Sequence, residues 1–233
     1  VALHAPQLIV GARMLYLVWL PADPDAAAAL VPSELQAAQG SPVFMNQYVV
    51  DDGAQTSNAA SKDVWGAYSL TYLGVDLSGL DTEDGTPGRW WTHYFDSSKN
   101  MIRYASAHGV PASSGATQLE PDGSRLVATT VVAEAPAIRT TARIELGKPG
   151  RATGQLRYLT RVDGQLVSGR YPFVMDEAET FEVESVEFLG AGPESLQALR
   201  PADPLQVTFG FYSPSISFCY PGGEGPLGSE HGS

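Results

Sequence analysis

The stretch RMLYLVWLPADPDAAAALVPSEL, Arg13 to Leu35, joins an apolar strand to a short helix. Met14 to Leu20 is a run of large apolar residues, too short to span a bilayer and suited to a buried strand. Asp23 then offers a side-chain oxygen to the first free N–H groups of a helix. Pro24 fits the first helical position, and Ala26 to Leu30 carry the helix on. Working outward, strand chemistry dominates. Residues 13–20, 43–50, 67–77, 89–97, 125–134, 139–146, 153–162, 181–190 and 205–219 are rich in Val, Thr, Tyr, Phe and Trp, with Gly, Pro, Asp and Ser clusters between them. Two further helices are predicted, over 97–108, stopped by Gly109 and Pro111, and from Gly192-Pro193-Glu194 through Leu199. Many strands, few helices and no βαβ alternation predict an α+β fold that is mainly antiparallel β.

At 233 residues, with 43% hydrophobic and 17% charged residues, the chain is globular and can bury a sizeable core. No repeat or low-complexity linker divides it, so 1–220 is expected to be a single domain and 221–233 (PGGEGPLGSEHGS) a flexible tail. Residues 51–63 read as a long loop. The net charge of −12 argues against nucleic-acid and anionic-membrane partners, which need clustered Lys and Arg. The single Cys219 cannot form an internal disulfide, and no metal-ligand spacing occurs, so no metal or cofactor is expected. With no basic-then-apolar leader, a cytoplasmic location is the default expectation. The carboxylates between Asp176 and Glu187 alternate with Phe181 and Val183, as on the wet face of a half-buried strand. Gly147-Lys148-Pro149-Gly150 links two strands and so does not read as a phosphate loop.

Three segments in order carry a resemblance: Arg13 to Leu35, the turn His108-Gly109-Val110-Pro111-Ala112-Ser113-Ser114-Gly115, and FLGAGPESLQALRPADPLQVTFGFYSPSISFCYP from Phe188 to Pro221. Between them lie Tyr68-Ser69-Leu70 and WWTHYFD from Trp90 to Asp96. Together they resemble the acetoacetate decarboxylase family over approximately residues 10–220. The resemblance implies an antiparallel β-barrel-like domain with a few covering helices and an internal pocket. It also implies a loss. Where the family has its Schiff-base lysine and a second lysine, this chain has Ala112 and Ser113; Leu70 and Asn46 stand where the family has two glutamates. Neither alanine nor serine can form the iminium that receives the electrons released with CO₂. Of the family's polar set Arg13 remains, a donor fork suited to a carboxylate, enolate or carbonyl oxygen in the pocket; without the resemblance it reads as a surface residue paired with an acid such as Asp23.

Among the remaining groups, strict alternation places Trp91, His93 and Phe95 on one strand face. His93 is then either the general acid or base beside Arg13 or a hydrogen-bonded histidine without a chemical role. Asn46, Tyr68, Leu70, His108, Ala112 and Ser113 are the expected substrate contacts, although His108 can equally cap a helix C-terminus. Ser113 and Ser114 lack the context of a hydrolase nucleophile. Exchange of charged groups for Ala, Ser, Leu and Asn implies a wider, less charged pocket for a hydrophobic, carbonyl-containing, polyketide-like molecule. The expected function is an enzyme, a lyase or cyclase/isomerase of secondary metabolism, using non-covalent cyclisation, aldol-type closure, dehydration or isomerisation. The alternatives are a decarboxylase or aldolase with a relocated amine, for which Lys99 is the candidate, and a non-catalytic binder of a hydrophobic metabolite. Exposed strand edges leave self-association into a homo-oligomer open.

Overall fold

The computed structural model describes residues 7–58, 65–147, 150–220 and 225–227. In chain order the first elements are β1 (Gln7–Trp19), α1 (Pro24–Ala28), β2 (Val43–Val50), β3 (Thr56–Asn58), β4 (Tyr68–Asp76), β5 (Gly88–Asp96) and α2 (Lys99–Ala107). There follow β6 (Ala112–Ser114), β7 (Ala116–Asp122), β8 (Arg125–Val132), β9 (Ala135–Glu145), β10 (Gly150–Val162) and β11 (Gln165–Glu177). Last come β12 (Thr180–Phe188), a 3-10 turn at Glu194–Leu199, β13 (Val207–Tyr220) and β14 (Gly225–Pro226).

Seven strands close a mixed barrel in the order β10-β11-β13-β1-β2-β4-β5, and a parallel contact of β5 with β10 joins the ends. That seam is short: Gly88, Arg89 and Trp90 face Arg157, Tyr158 and Leu159. β12, β9, β8 and β7 form a separate four-stranded antiparallel sheet. Alternation along β1 shows how one strand serves two cores. Met14, Tyr16 and Val18 point into the barrel, whereas Leu15, Leu17 and Trp19 point out, towards the small sheet. Both faces are dry, which is why this strand reads as a continuous apolar run. Each large apolar side chain so buried contributes about 1.5–3 kcal/mol.

Polar groups also lie between barrel and sheet, and they are paired. Gln47 donates to Thr130 Oγ1 at 2.9 Å and accepts from Thr140 Oγ1 at 2.9 Å, while Thr71 bonds both Thr117 and Thr130 at 2.6 Å. All five residues are buried. The helices behave as their sequences direct. The Asp23 side chain accepts from the backbone N–H of Asp25 and Ala26, and Ser98 caps α2. Gly109, at φ +77°, ends α2 where an added Cβ would strike the Arg161 carbonyl.

Every predicted strand is present, but β3, β6, β7, β11 and β14 were not expected. β11 contains Gly169 and an internal Pro172, which mask its pattern. Of the expected tail, Gly225–Pro226 pairs with Val167 and Ser168; 221–224 and 228–233 lie outside the described residues. The expected loop over 51–63 begins with a 3-10 turn at Gly53–Gln55 and the short β3; residues 59–64 also lie outside. Among the described residues, no helix is long and apolar enough to cross a membrane.

Candidate functional site

A cavity of about 290 Å³ enters the barrel between β10, β11 and β13, reaching Met14 and Tyr16 of β1 and Arg89 of β5. Its wall is largely apolar, with Phe173, Phe209, Phe211 and Phe218 prominent. Tyr16 stacks on Phe211 at 5.5 Å, and both meet Phe209 edge-on at 6.1 Å, which forms an aromatic collar. Phe209 itself is 55% exposed.

Arg89 is the chemical centre of this wall. It is only 5% exposed, and its guanidinium lies over the rings of Tyr16 (5.2 Å) and Phe44 (5.4 Å). Arg89 Nε is 3.3 Å from Asp76 Oδ1, outside hydrogen-bonding geometry. Arg89 Nη1 and the Tyr16 hydroxyl, both buried, have no hydrogen-bond partner among the described residues. Burial works against the cation, but Tyr16, Asp76, Tyr171 and Tyr72 around it hold Arg89 firmly protonated. Burial likewise pushes Asp76 up from the usual carboxylate range, with Arg89 pulling it back. Burial also raises the Tyr16 phenol well above its ordinary value, so it stays a donor. A buried donor with no acceptor costs about 1–3 kcal/mol. Both residues line the cavity, although these two atoms are themselves covered.

Behind the wall a hydrogen-bonded row orders further hydroxyls. Asn46 Nδ2 donates to Tyr72 Oη at 2.8 Å, and Tyr72 Oη is 2.5 Å from Tyr171 Oη, at the cavity surface. Asn46 thus faces the barrel interior, as do Tyr68 and Leu70, but none of the three lines the cavity. Tyr68 instead bonds Tyr48 at 2.8 Å.

Several expected placements are corrected. Arg13 shares the outward face of β1 with Leu15. It is held by Asp51, 2.6 Å away, and donates to the Leu119 carbonyl of β7 at 2.9 Å, so it is a structural arginine outside the barrel. The cavity's arginine is Arg89. His93 also leaves the barrel. A β-bulge at Thr92, between the Leu73–His93 and Gly74–Trp91 pairs, breaks the assumed alternation. Trp91 and Tyr94 therefore both point in, and His93 turns out beside Phe95. There it bonds Ser195 Oγ at 2.9 Å and Thr92 Oγ1 at 3.0 Å, and burial lowers its pKa to about 4. His108 caps α2, its Nδ1 2.7 Å from the Tyr104 carbonyl oxygen, and lines only a narrow crevice beside Tyr158.

The altered turn also differs from expectation. Parallel pairing with β5 directs Ala112 inward against the aromatic core and Ser113 outward to an open surface groove. Neither lines the cavity. The barrel centre beside them is filled by rings: Trp91 stacks on Tyr158 at 4.6 Å, and Tyr72 on Tyr94 at 5.9 Å. The hollow expected at Ala112 is thus replaced by an aromatic plug, and the open space lies around Arg89. Lys99 is exposed at the start of α2, and Lys62 and Lys148 lie outside the described residues. Arg89 escaped the sequence reading although it was legible: alternation puts it on the same face of β5 as Trp91.

No protein-family profile matches the sequence, and comparison with curated proteins finds no match. Solved structures do match. Acetoacetate decarboxylase superimposes with a TM-score of 0.68 at 14% identity, over 97% of this chain and 91% of that one. The enduracididine biosynthesis enzyme MppR, complexed with the condensation product of pyruvate and imidazole 4-carboxaldehyde, gives 0.66 at 11% identity, over 97% and 90%. An acetoacetate decarboxylase-like enzyme from Sphingomonas wittichii RW1 gives 0.60 at 14%, over 97% and 94%. The chain therefore has the acetoacetate decarboxylase fold, in a divergent form with Ala112 and Ser113 at the turn where the resemblance places lysines.

Proposed function

We propose that this protein is an enzyme that activates a hydrophobic carbonyl compound without a covalent amine. The observation that carries the reading is Arg89, a buried cation that lines a cavity of aromatic walls. A substrate carbonyl oxygen would accept from the Arg89 guanidinium, beside Tyr16 on the cavity lining. Glu177, half-buried and on the same lining, is the carboxylate this reading assigns to take a proton from the adjacent carbon. The C–H electron pair becomes a C=C bond as the C=O π pair moves onto oxygen, and the guanidinium stabilises the resulting enolate in a site of low polarity. From that enolate, attack on a second carbonyl gives aldol-type closure, loss of a β-hydroxyl gives dehydration, and reprotonation elsewhere gives isomerisation. The fold neighbours, which include an enzyme of enduracididine biosynthesis, support placing such a step in natural-product assembly.

The test is proton–deuterium exchange at the methyl ketone of benzalacetone, a flat neutral enone, followed by ¹H NMR in D₂O. The wild-type protein is expected to accelerate exchange. Arg89→Met should lower the rate about 100-fold, the usual effect of removing one oxyanion donor, and Tyr16→Phe about tenfold with the buried ion pair intact. Exchange no faster than in buffer, or a lysine adduct trapped by borohydride, overturns the reading.

A further inference from the structure

We propose that the Arg89 cavity selects neutral carbonyl compounds and rejects carboxylates, so that its substrate is a ketone, aldehyde or ester rather than a keto acid. This rests on the reading that the cavity binds a carbonyl oxygen at Arg89, and it adds what that compound's charge must be.

Arg89 is the only cation on its described lining, and its charge is matched by Asp76, which lies 3.3 Å from it and is not itself on that lining. The pair is almost completely buried, with both side chains under a tenth exposed. An entering carboxylate would therefore leave a net negative charge in a medium that solvates it poorly. At the rim the remaining charged groups are acids. Asp84 and Glu177 line the cavity, and hydrogen bonds from Thr82 and Thr86 hold the Asp84 carboxyl below its usual range, so it is anionic at neutral pH. The chain as a whole carries −12, so its field also opposes an approaching anion.

A neutral carbonyl meets none of these costs. It accepts from the Arg89 guanidinium and brings no charge with it. Negative charge then develops on its oxygen only as the reaction proceeds, when the guanidinium is already in place. A carboxylate finds no second cation on the described lining to balance it.

Benzalacetone and trans-cinnamate test this directly, because they differ only in a methyl group exchanged for a carboxylate oxygen. Binding to the wild-type protein is measured by calorimetry at neutral pH. Benzalacetone is expected to bind at least about tenfold more tightly. Asp84→Asn should narrow that gap by strengthening cinnamate binding while leaving benzalacetone within about twofold. Asp76→Asn, which releases the charge of Arg89, should narrow it further; if that variant does not fold, the wild-type and Asp84→Asn comparisons decide alone. Equal or tighter cinnamate binding by the wild type overturns the proposal while leaving the enolate reading standing. Binding of neither probe overturns both. Selective benzalacetone binding without exchange of its protons sinks the catalytic reading and keeps this one.

Discussion

Arg89, His93 and Asp96 lie within eight residues of one strand, and each is buried for a different reason. Arg89 enters the barrel against Asp76, His93 leaves it to bond Ser195, and Asp96 sits where β5 meets α2. Asp96 Oδ1 accepts from the Ser98 N–H at 2.6 Å, while its buried Oδ2 has no partner among the described residues. Burial raises its pKa to about 8. Its pKa is raised on folding, so its contribution to stability is full below about pH 4 and is lost as pH climbs towards the folded value. His93 has the opposite sign. With its pKa lowered to about 4, its contribution is full above the ordinary histidine value and is lost as pH falls through the window. Between about pH 4 and 6.5 the two slopes oppose; above about 6.5 only Asp96 still titrates, at up to about 1.4 kcal/mol per pH unit. Urea unfolding should therefore show wild-type stability falling between pH 6.5 and 8. Asp96→Asn, which keeps the acceptor for Ser98, should abolish that fall. A variant with the same slope would show that Asp96 ionises normally.

At the scale of the element, the bulge in β5 decides what each of these side chains meets. Gly74 of β4 lies opposite it, and a Cβ there would stand 1.9 Å from the Trp90 carbonyl oxygen and 2.7 Å from the Phe44 ring. Gly74→Ala should cost about 3 kcal/mol or more, because backbone cannot move aside as a flexible side chain can. Thermal unfolding of the variant checks this, and an unchanged midpoint would place the bulge elsewhere. The strands themselves were legible because β-branched and aromatic runs persist whatever their neighbours. The side of the sheet to which a residue points was not. One inserted residue reverses alternation, and nothing in WWTHYFD marks Thr92 as that residue. For the same reason His93 was expected in the pocket, while Arg89, before the bulge, keeps the face that simple alternation gives it. Arg13 was misplaced differently: its partner Asp51 lies 38 residues away and is brought near only by pairing of β1 with β2.

At the scale of the molecule, the barrel and the small sheet are held in register by the buried Gln47, Thr71, Thr117, Thr130 and Thr140 network as well as by apolar packing. Gln47→Leu removes both bonds of Gln47 to the small sheet and strands the buried Thr140 hydroxyl, while Thr130 keeps Thr71. A loss of about 2–4 kcal/mol in urea unfolding is expected, well beyond that of an exposed glutamine. A loss below about 0.5 kcal/mol would mean that the network does not fix the contact. Such long-range polar ties leave no local trace in sequence, so neither they nor the aromatic plug could be read beforehand. The closing seam has a further consequence. Arg89 belongs to the few residues that join β5 to β10, two strands about sixty positions apart along the chain. The Arg89 guanidinium thus finds its surroundings only when the first and last staves of the cask meet. Until they do, a half-assembled molecule lacks the described lining's single cation in its place.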